Sequence, residues 1–228
     1  MARFVLVHGA WHQGSAWDQV VPLLIELGHT ADAPSLSYAP GTRLSHHVGQ
    51  LEAGLRDAQE AEPVTVVAHS YGGIPASQAV MRVNSSVERL VLVDGWLAPA
   101  GASLVDVAPE WFRDWCRSSA SGEPPMLPLP PLWTIGITDG SPEADWLSPR
   151  LVEQPLATFT DPCDVTVDST ELDLRGIDRH AVLCLPASLP FRKFAVDAGC
   201  HLHEIESGHD VMVTRPDAIA NLLHHIVS

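Results

Sequence analysis

"VVAHSYGG", residues 66–73, is the stretch on which the fold turns. It begins inside a β-branched run, residues 64–68, that reads as a buried strand. It ends in residues 72–83, rich in small side chains, which read as a helix. Ser70 stands between them in a small-x-Ser-x-small string, with Ala68 in place of the first glycine of the G-x-S-x-G pattern. A sharp strand-to-helix turn crowds its own backbone, so the positions two before and two after the serine must be small. The same turn projects the hydroxyl outward at a helix N-terminus, where developing negative charge is favoured. A serine there can also be a plain helix cap. The strand before it, the helix after it and a histidine far downstream favour a nucleophile.

Outward from this stretch, short apolar runs alternate with amphipathic ones. Residues 4–7, 29–33, 89–94, 181–185 and 201–205 read as further strands. Residues 14–27 carry Trp17, Val20, Val21, Leu24 and Leu27 at helical spacing, and Gly28 ends the run. Leu44, Val48, Leu51 and Leu55 mark a second helix over 43–60. Ile219, Leu222, Leu223 and Ile226 mark a last one over 216–227, with Pro216 in its first turn. Buried strands separated by amphipathic helices predict an α/β fold, a mostly parallel sheet covered on both faces.

Residues 95–179 break the alternation. They hold five of the seven tryptophans, Trp96, Trp111, Trp115, Trp133 and Trp146, and the segment "EPPMLPLPPLW" over 123–133, where dense proline favours extended loop. They read as a cap inserted between two strands of a single domain spanning 1–228. The tryptophans can be local core or the lining of an aromatic pocket, and both accounts stay open.

The bulk numbers exclude more than they assign. The chain has 228 residues, 46% hydrophobic and 18% charged, enough for one sizeable core. A formal charge of −15 argues against nucleic acid or an anionic membrane as partner. No apolar run approaches a membrane span or a leader core, so a cytoplasmic protein is expected. Cys116, Cys163, Cys184 and Cys200 form no C-x-x-C pair and read as reduced, buried small residues. His46–His47, His224–His225 and His201-x-His203 have no convergent third ligand, so no metal is expected, and no cofactor is implied. The partner left is a small-molecule substrate. An oligomer is open.

"IESGHDVMVTRPDAIANLL" places His209 on a loop between the last strand and the last helix. From there the ring can swing over the serine as general base. An oxyanion hole needs two aimed N–H donors. One is expected from Tyr71, after the serine, and the other from Ala10 in "VHGAW", where Gly9 lets the chain turn and His8 ties the loop down.

With these pieces together the chain resembles the α/β-hydrolase superfamily, in the branch of plant methylesterases, hydroxynitrile lyases and small bacterial esterases. "FVLVHGAWHQGSAWDQVVPLL", "VVAHSYGG", "LVDGWLAP", "QPLATFTDP" and "ESGHDVMVTRPDAIANLL" carry the resemblance. It spans nearly the whole chain and is weakest over 97–150. It implies the α/β-hydrolase fold, with Ser70 and His209 as nucleophile and base and Ala10 and Tyr71 as oxyanion donors. The lyases of this branch have threonine where Gly9 stands and lysine where Asp210 stands, so lyase activity is disfavoured.

The family's third member is missing from its usual place. It follows the strand before the last, here in "HAVLCLPASLP" over 180–190, which contains no carboxylate. After the strand come Pro186, Ala187 and Ser188. Asp94 ends the strand "RLVLVD", where some α/β-hydrolases carry their acid, and is the favoured replacement; the alternative is that it caps the turn into "GWLAP". Glu206, Asp161, Asp164 and Asp168 are poorer candidates. A serine hydrolase acting on esters or thioesters of small hydrophobic or aromatic acids is the first expectation. A cyclase, isomerase or lyase that keeps the oxyanion hole and His209 is the second, and a binding module without catalysis is the third.

Overall fold

The computed structural model describes residues 1–57, 64–83, 87–168, 170, 175–187 and 189–228. Its strands are β1 (Arg3–Val7), β2 (Thr30–Asp32), β3 (Val64–His69), β4 (Val87–Val93), β5 (Met126–Leu127), β6 (Gln154–Pro155), β7 (Asp178–Leu185) and β8 (His201–Glu206). Six of them form a sheet in the order β2-β1-β3-β4-β7-β8, and every pairing in it is parallel. This is the mostly parallel sheet that the alternation predicts, in the α/β class that the resemblance implies.

Alternate residues of each central strand feed opposite cores. Phe4 and Leu6 of β1 pack with Trp17, Leu24, Ile219 and Leu223. Val5 and Val7 pack on the other face with Val48, Leu51, Ile74 and Val80. The helix Pro216–Val227 and the shorter Val21–Glu26 therefore cover one face, and helices Leu44–Asp57 and Gly73–Arg82 the other. Burial on both sides explains why Phe4–Val7 of β1, Val66–Ala68 of β3 and Leu90–Val93 of β4 are continuous apolar runs rather than alternating.

Several expected elements differ in extent. The helix expected over 14–27 is a 3-10 turn, Gly14–Trp17, followed by an α-helix, Val21–Glu26. Pro22 has no N–H to donate and its ring needs the first turn of a helix, so the helix restarts there. The helix expected over 43–60 runs Leu44–Asp57, and residues 58–60 lie outside the described ones. The helix expected over 72–83 runs Gly73–Arg82, one residue shorter at each end, because Ser70–Gly72 is a 3-10 turn. A helix that the spacing does not announce, Phe191–Asp197, joins β7 to β8.

Between β4 and β7 the chain builds short helices, among them Leu104–Val107, Glu110–Ser119 and Pro142–Leu147, and the small antiparallel pair β5–β6. Side-chain and backbone hydrogen bonds fasten this segment over the sheet. The Gln154 side chain accepts from the Trp11 N–H at 3.0 Å, and Val152 N–H donates to Trp11 O at 2.8 Å. Asp161 binds the Arg43 guanidinium and the Leu44 N–H at the start of helix Leu44–Asp57. Among the described residues no helix is long and apolar enough to cross a membrane. The four cysteines are free, three of them buried.

Candidate active site

A parallel sheet delivers the ends of its strands to one edge, and loops that leave there converge. β1 ends at Val7, β3 at His69, β4 at Val93 and β8 at Glu206. The next few residues of each include Ala10, Ser70, Asp94 and His209. Thus residues widely separated in sequence meet because their strands share a direction.

The meeting is a continuous hydrogen-bonded line. Ser70 Oγ lies 2.9 Å from His209 Nε2, and His209 Nδ1 lies 3.0 Å from Asp94 Oδ2. Asp94 is 3% exposed. Its other oxygen, Oδ1, accepts from the Cys184 N–H at 3.0 Å. β7, whose exit carries no carboxylate, therefore holds the carboxylate that follows its neighbour β4. Pro186 and Ala187 follow β7 without a replacement acid, and Ser188 lies outside the described residues. Glu206 is exposed, Asp161 is engaged by Arg43, and Asp164 by Arg82.

The turn around the serine is as tight as its composition implies. Ser70 has φ +51°, in the left-handed region. A Cβ at Gly72 would stand 2.5 Å from His8 O, so nothing larger than glycine fits. Tyr71 turns its ring into the core, where its hydroxyl donates to His47 Nδ1 at 2.8 Å. His47 Nε2 donates in turn to Ser37 O at 2.7 Å. This leaves the Tyr71 backbone at the start of the turn, beside the serine. Ala10 lines the same cavity.

The loop bearing Ala10 is held at each peptide. His8 Nε2 accepts from Leu36 N–H, and His8 Nδ1 donates to Gly9 O at 2.9 Å. Tyr38 donates its hydroxyl to the same oxygen at 3.1 Å. Burial pushes the His8 pKa down to about 3, so the ring stays neutral and keeps this one-donor, one-acceptor pattern. As the sequence suggests, His8 ties the loop down. Gly9 itself has no room for a side chain: a Cβ would lie 2.8 Å from His69 Nδ1 and 3.0 Å from Ser70 Cβ.

Four neighbours of the line have a place that no motif assigns to them. Phe191 stacks on the His209 ring with centroids 5.3 Å apart and planes at 6°. The His69 ring lies tilted beside it, its centroid 4.6 Å from that of His209, and donates from Nε2 to His209 O at 3.1 Å. Burial holds the His69 pKa well below the ordinary value, so it stays neutral. His12 and Asp210 are both buried and bonded to each other at 2.9 Å. His69, His209 and Asp210 bring ligand-capable atoms within 4.8 Å of one another, but both His209 nitrogens are bonded to Ser70 and Asp94. The surface histidines pair differently: His203 Nε2 meets His180 Nδ1 at 2.9 Å, with His201 beside them.

Above Ser70 opens a cavity of about 430 Å³. Trp96, Trp111, Trp115 and Trp133 of the 95–179 segment line it, with Trp11, Phe112 and Phe159. Trp146 does not. It packs against the core instead, with the Arg150 guanidinium 4.4 Å over its ring. Both accounts of the tryptophans thus hold, four in the pocket and one in core packing. Among the described residues no Lys, Arg, Asp or Glu side chain lines the cavity.

Comparison with known proteins places the chain in context. The model of a family described as the alpha/beta hydrolase family matches residues 4–222. A carbendazim-hydrolyzing esterase from Nocardioides sp. is 29% identical, the match covering 98% of each chain. Methyl jasmonate esterase 1 from Vitis vinifera is 32% identical over 47% of this chain and 44% of that one. Among solved structures, an extracellular alpha/beta-hydrolase from a Paenibacillus species superposes with a TM-score of 0.80 at 18% identity, covering 98% of both chains. A pyrethroid hydrolase from Sphingobium faniae JZ-2 superposes with a TM-score of 0.75 at 19% identity, covering 99% of this chain and 96% of that one.

Proposed function

The chain belongs to the alpha/beta hydrolase family, and from that premise we propose that it is a serine carboxylic-ester hydrolase for neutral aromatic or apolar substrates. The observation that carries this is the unbroken line from Ser70 Oγ through His209 to Asp94 at the floor of an aromatic cavity. Relatives named as esterases support it.

The chemistry follows from the positions. His209 Nε2 takes the hydroxyl proton as Ser70 Oγ attacks the substrate carbonyl carbon. The oxygen that gains charge is received by the Ala10 and Tyr71 amides. His209 then gives its proton to the leaving alkoxide, and the carbon–oxygen bond breaks to leave an acyl-serine. Water, deprotonated by His209, releases the acid and restores Ser70. Asp94 accepts from Nδ1–H throughout, which keeps Nε2 free to take the serine proton and stabilises the imidazolium. Thioesters would pass through the same steps, with a thiolate leaving.

The 95–179 segment serves as the cap of this site within a single domain, and its tryptophans set the preference for flat, uncharged groups. Asp94 within 3.0 Å of His209 Nδ1 speaks against a cyclase or isomerase, whose case rested on a missing acid. The space taken by His69 beside Gly9 speaks against the lyase arrangement, which places a threonine there.

Hydrolysis of p-nitrophenyl butyrate and of an aromatic methyl ester tests the proposal. Wild type is expected to turn over both, and Ser70→Ala to lose turnover and labelling by a fluorophosphonate. Absence of turnover and of labelling in the wild type would overturn it.

A further inference from the structure

Asp210 directly follows the proposed base, and its carboxylate is fully buried, yet it takes no part in the line from Ser70 to Asp94. Its partner is His12, 198 residues away in the chain. The protonation of this pair can be read from its geometry. His12 Nδ1 lies 2.7 Å from Ala10 O. A carbonyl oxygen only accepts, so Nδ1 carries a hydrogen. His12 Nε2 lies 2.9 Å from Asp210 Oδ2, an acceptor when ionised. With hydrogens on both nitrogens His12 is an imidazolium facing its counter-ion. Burial works against both charges, and their attraction overcomes it: the His12 pKa stands above its ordinary value and that of Asp210 below.

The two ends of this pair belong to the two halves of the site. Ala10 is the proposed oxyanion donor, and its own carbonyl is what His12 grips. Asp210 is joined by one peptide bond to His209, and its N–H donates to Ile135 O at 3.1 Å. His69 adds a second tie, since its Nε2 donates to His209 O and lies 3.7 Å from Asp210 Oδ1. A buried ion pair is a poor source of stability, because desolvation offsets the attraction. What it provides is direction, two hydrogen bonds from one rigid ring at a fixed angle.

We infer that His12 and Asp210 are positioning residues that hold the Ala10 loop and the His209 loop in one register, so that the oxyanion donor and the proton acceptor stand at a fixed separation. The inference rests on the hydrolase reading of Ser70, His209 and Ala10.

The test uses Asp210→Asn and the double variant His12→Phe/Asp210→Asn. Asparagine can donate to a neutral His12, so the bridge survives without its charges. The double variant keeps bulk and removes the bridge. The readouts are kcat and KM for p-nitrophenyl butyrate and the inhibition constant of an aliphatic trifluoromethyl ketone, whose serine adduct places an oxyanion on the donors. In the double variant, folded by circular dichroism, kcat and ketone affinity should both fall about ten-fold or more while KM stays within about two-fold. Asp210→Asn alone should lose about three-fold in both, a partial rescue by the retained bridge, and it decides the matter if the double variant does not fold. Folded variants with kcat and ketone affinity within about two-fold of wild type in the double, or with kcat lowered and ketone affinity unchanged, overturn the inference. A wild-type chain that neither hydrolyses the ester nor binds the ketone overturns the hydrolase reading and this inference with it. A wild-type chain that does both, matched by its variants, overturns the inference alone.

Discussion

Three residues other than glycine hold left-handed backbone among the described residues, and all three border the site: Trp11 at φ +63°, Ser70 at +51° and Asp94 at +43°. Each costs about 1 kcal/mol or more, so their clustering marks where the fold spends stability on geometry. Asp94 gains from its strain a carboxylate aimed at His209 on one side and a grip on Cys184 N–H on the other. Asp94→Asn keeps the shape and removes the charge that favours the imidazolium. Its kcat on p-nitrophenyl butyrate should fall by about 10²–10⁴-fold with KM little changed. A kcat within about three-fold of wild type would remove Asp94 from the relay. Gly9 is a second point of no tolerance. Gly9→Ala must displace the buried His69 ring or the Ser70 side chain, so kcat should drop about ten-fold or more in steady-state assays. Ser70, His209 and Asp94 can be picked out as candidates from the sequence because each directly follows or closely trails a readable strand. His12, His69 and Phe191 are not, because what gives each its place is a contact with a residue far away in the chain.

At the scale of elements, legibility follows burial. β1, β3 and β4 are read directly, since strands covered on both faces are continuous apolar runs. The 14–27 helix is misjudged because helical spacing continues across Pro22 while the backbone does not. Helix Phe191–Asp197 is hidden behind Pro186 and Pro190, and only Phe191 and Ala195 of it are buried, too short a pattern to stand out. That helix nevertheless supplies the ring stacked on the proposed base. The turn Leu132–Ile135 matters in the same way, since Gly136 after it lies backbone to backbone against Gly208, one residue before His209. A Cβ at Gly136 would come 2.4 Å from Gly208 Cα, and its φ of +82° already disfavours a side chain. Gly136→Ala should therefore lower stability by about 1–3 kcal/mol and reduce kcat as well, because the loop that must give way carries His209. Thermal unfolding with steady-state kinetics checks this. Lost stability with kcat intact would show that the contact does not govern the base.

The whole molecule buries an unusual set of histidines in neutral form, and this sets its response to acid. Burial lowers the pKa of His8 to about 3 and that of His47 to about 4, and holds that of His69 well below its ordinary 6.5. In the unfolded chain all three regain values near 6.5. Between the two values the unfolded state binds protons that the native state refuses, so stability falls as pH falls below about 6.5. His12 does not oppose this. Its native pKa is raised, so below pH 6.5 it is protonated in both states and adds no slope there. Asp210 has a lowered pKa, so its contribution is lost only as pH falls below the unfolded carboxylate range, 3.8 and under. Each refusing histidine adds a slope of about 1.4 kcal/mol per pH unit, and three together about 4. By pH 5 that amounts to about 6 kcal/mol, a large part of a total stability of about 5–15 kcal/mol, lost without any carboxylate titrating. Urea midpoints measured at pH 7.5, 6.0 and 5.0 should therefore drop steeply over the last unit, and more gently in His47→Gln, whose amide can still meet Tyr71 and Ser37 without titrating. Midpoints that stay level from pH 7.5 to 5.0 would mean that these rings charge in place and that the buried network is looser than its distances imply.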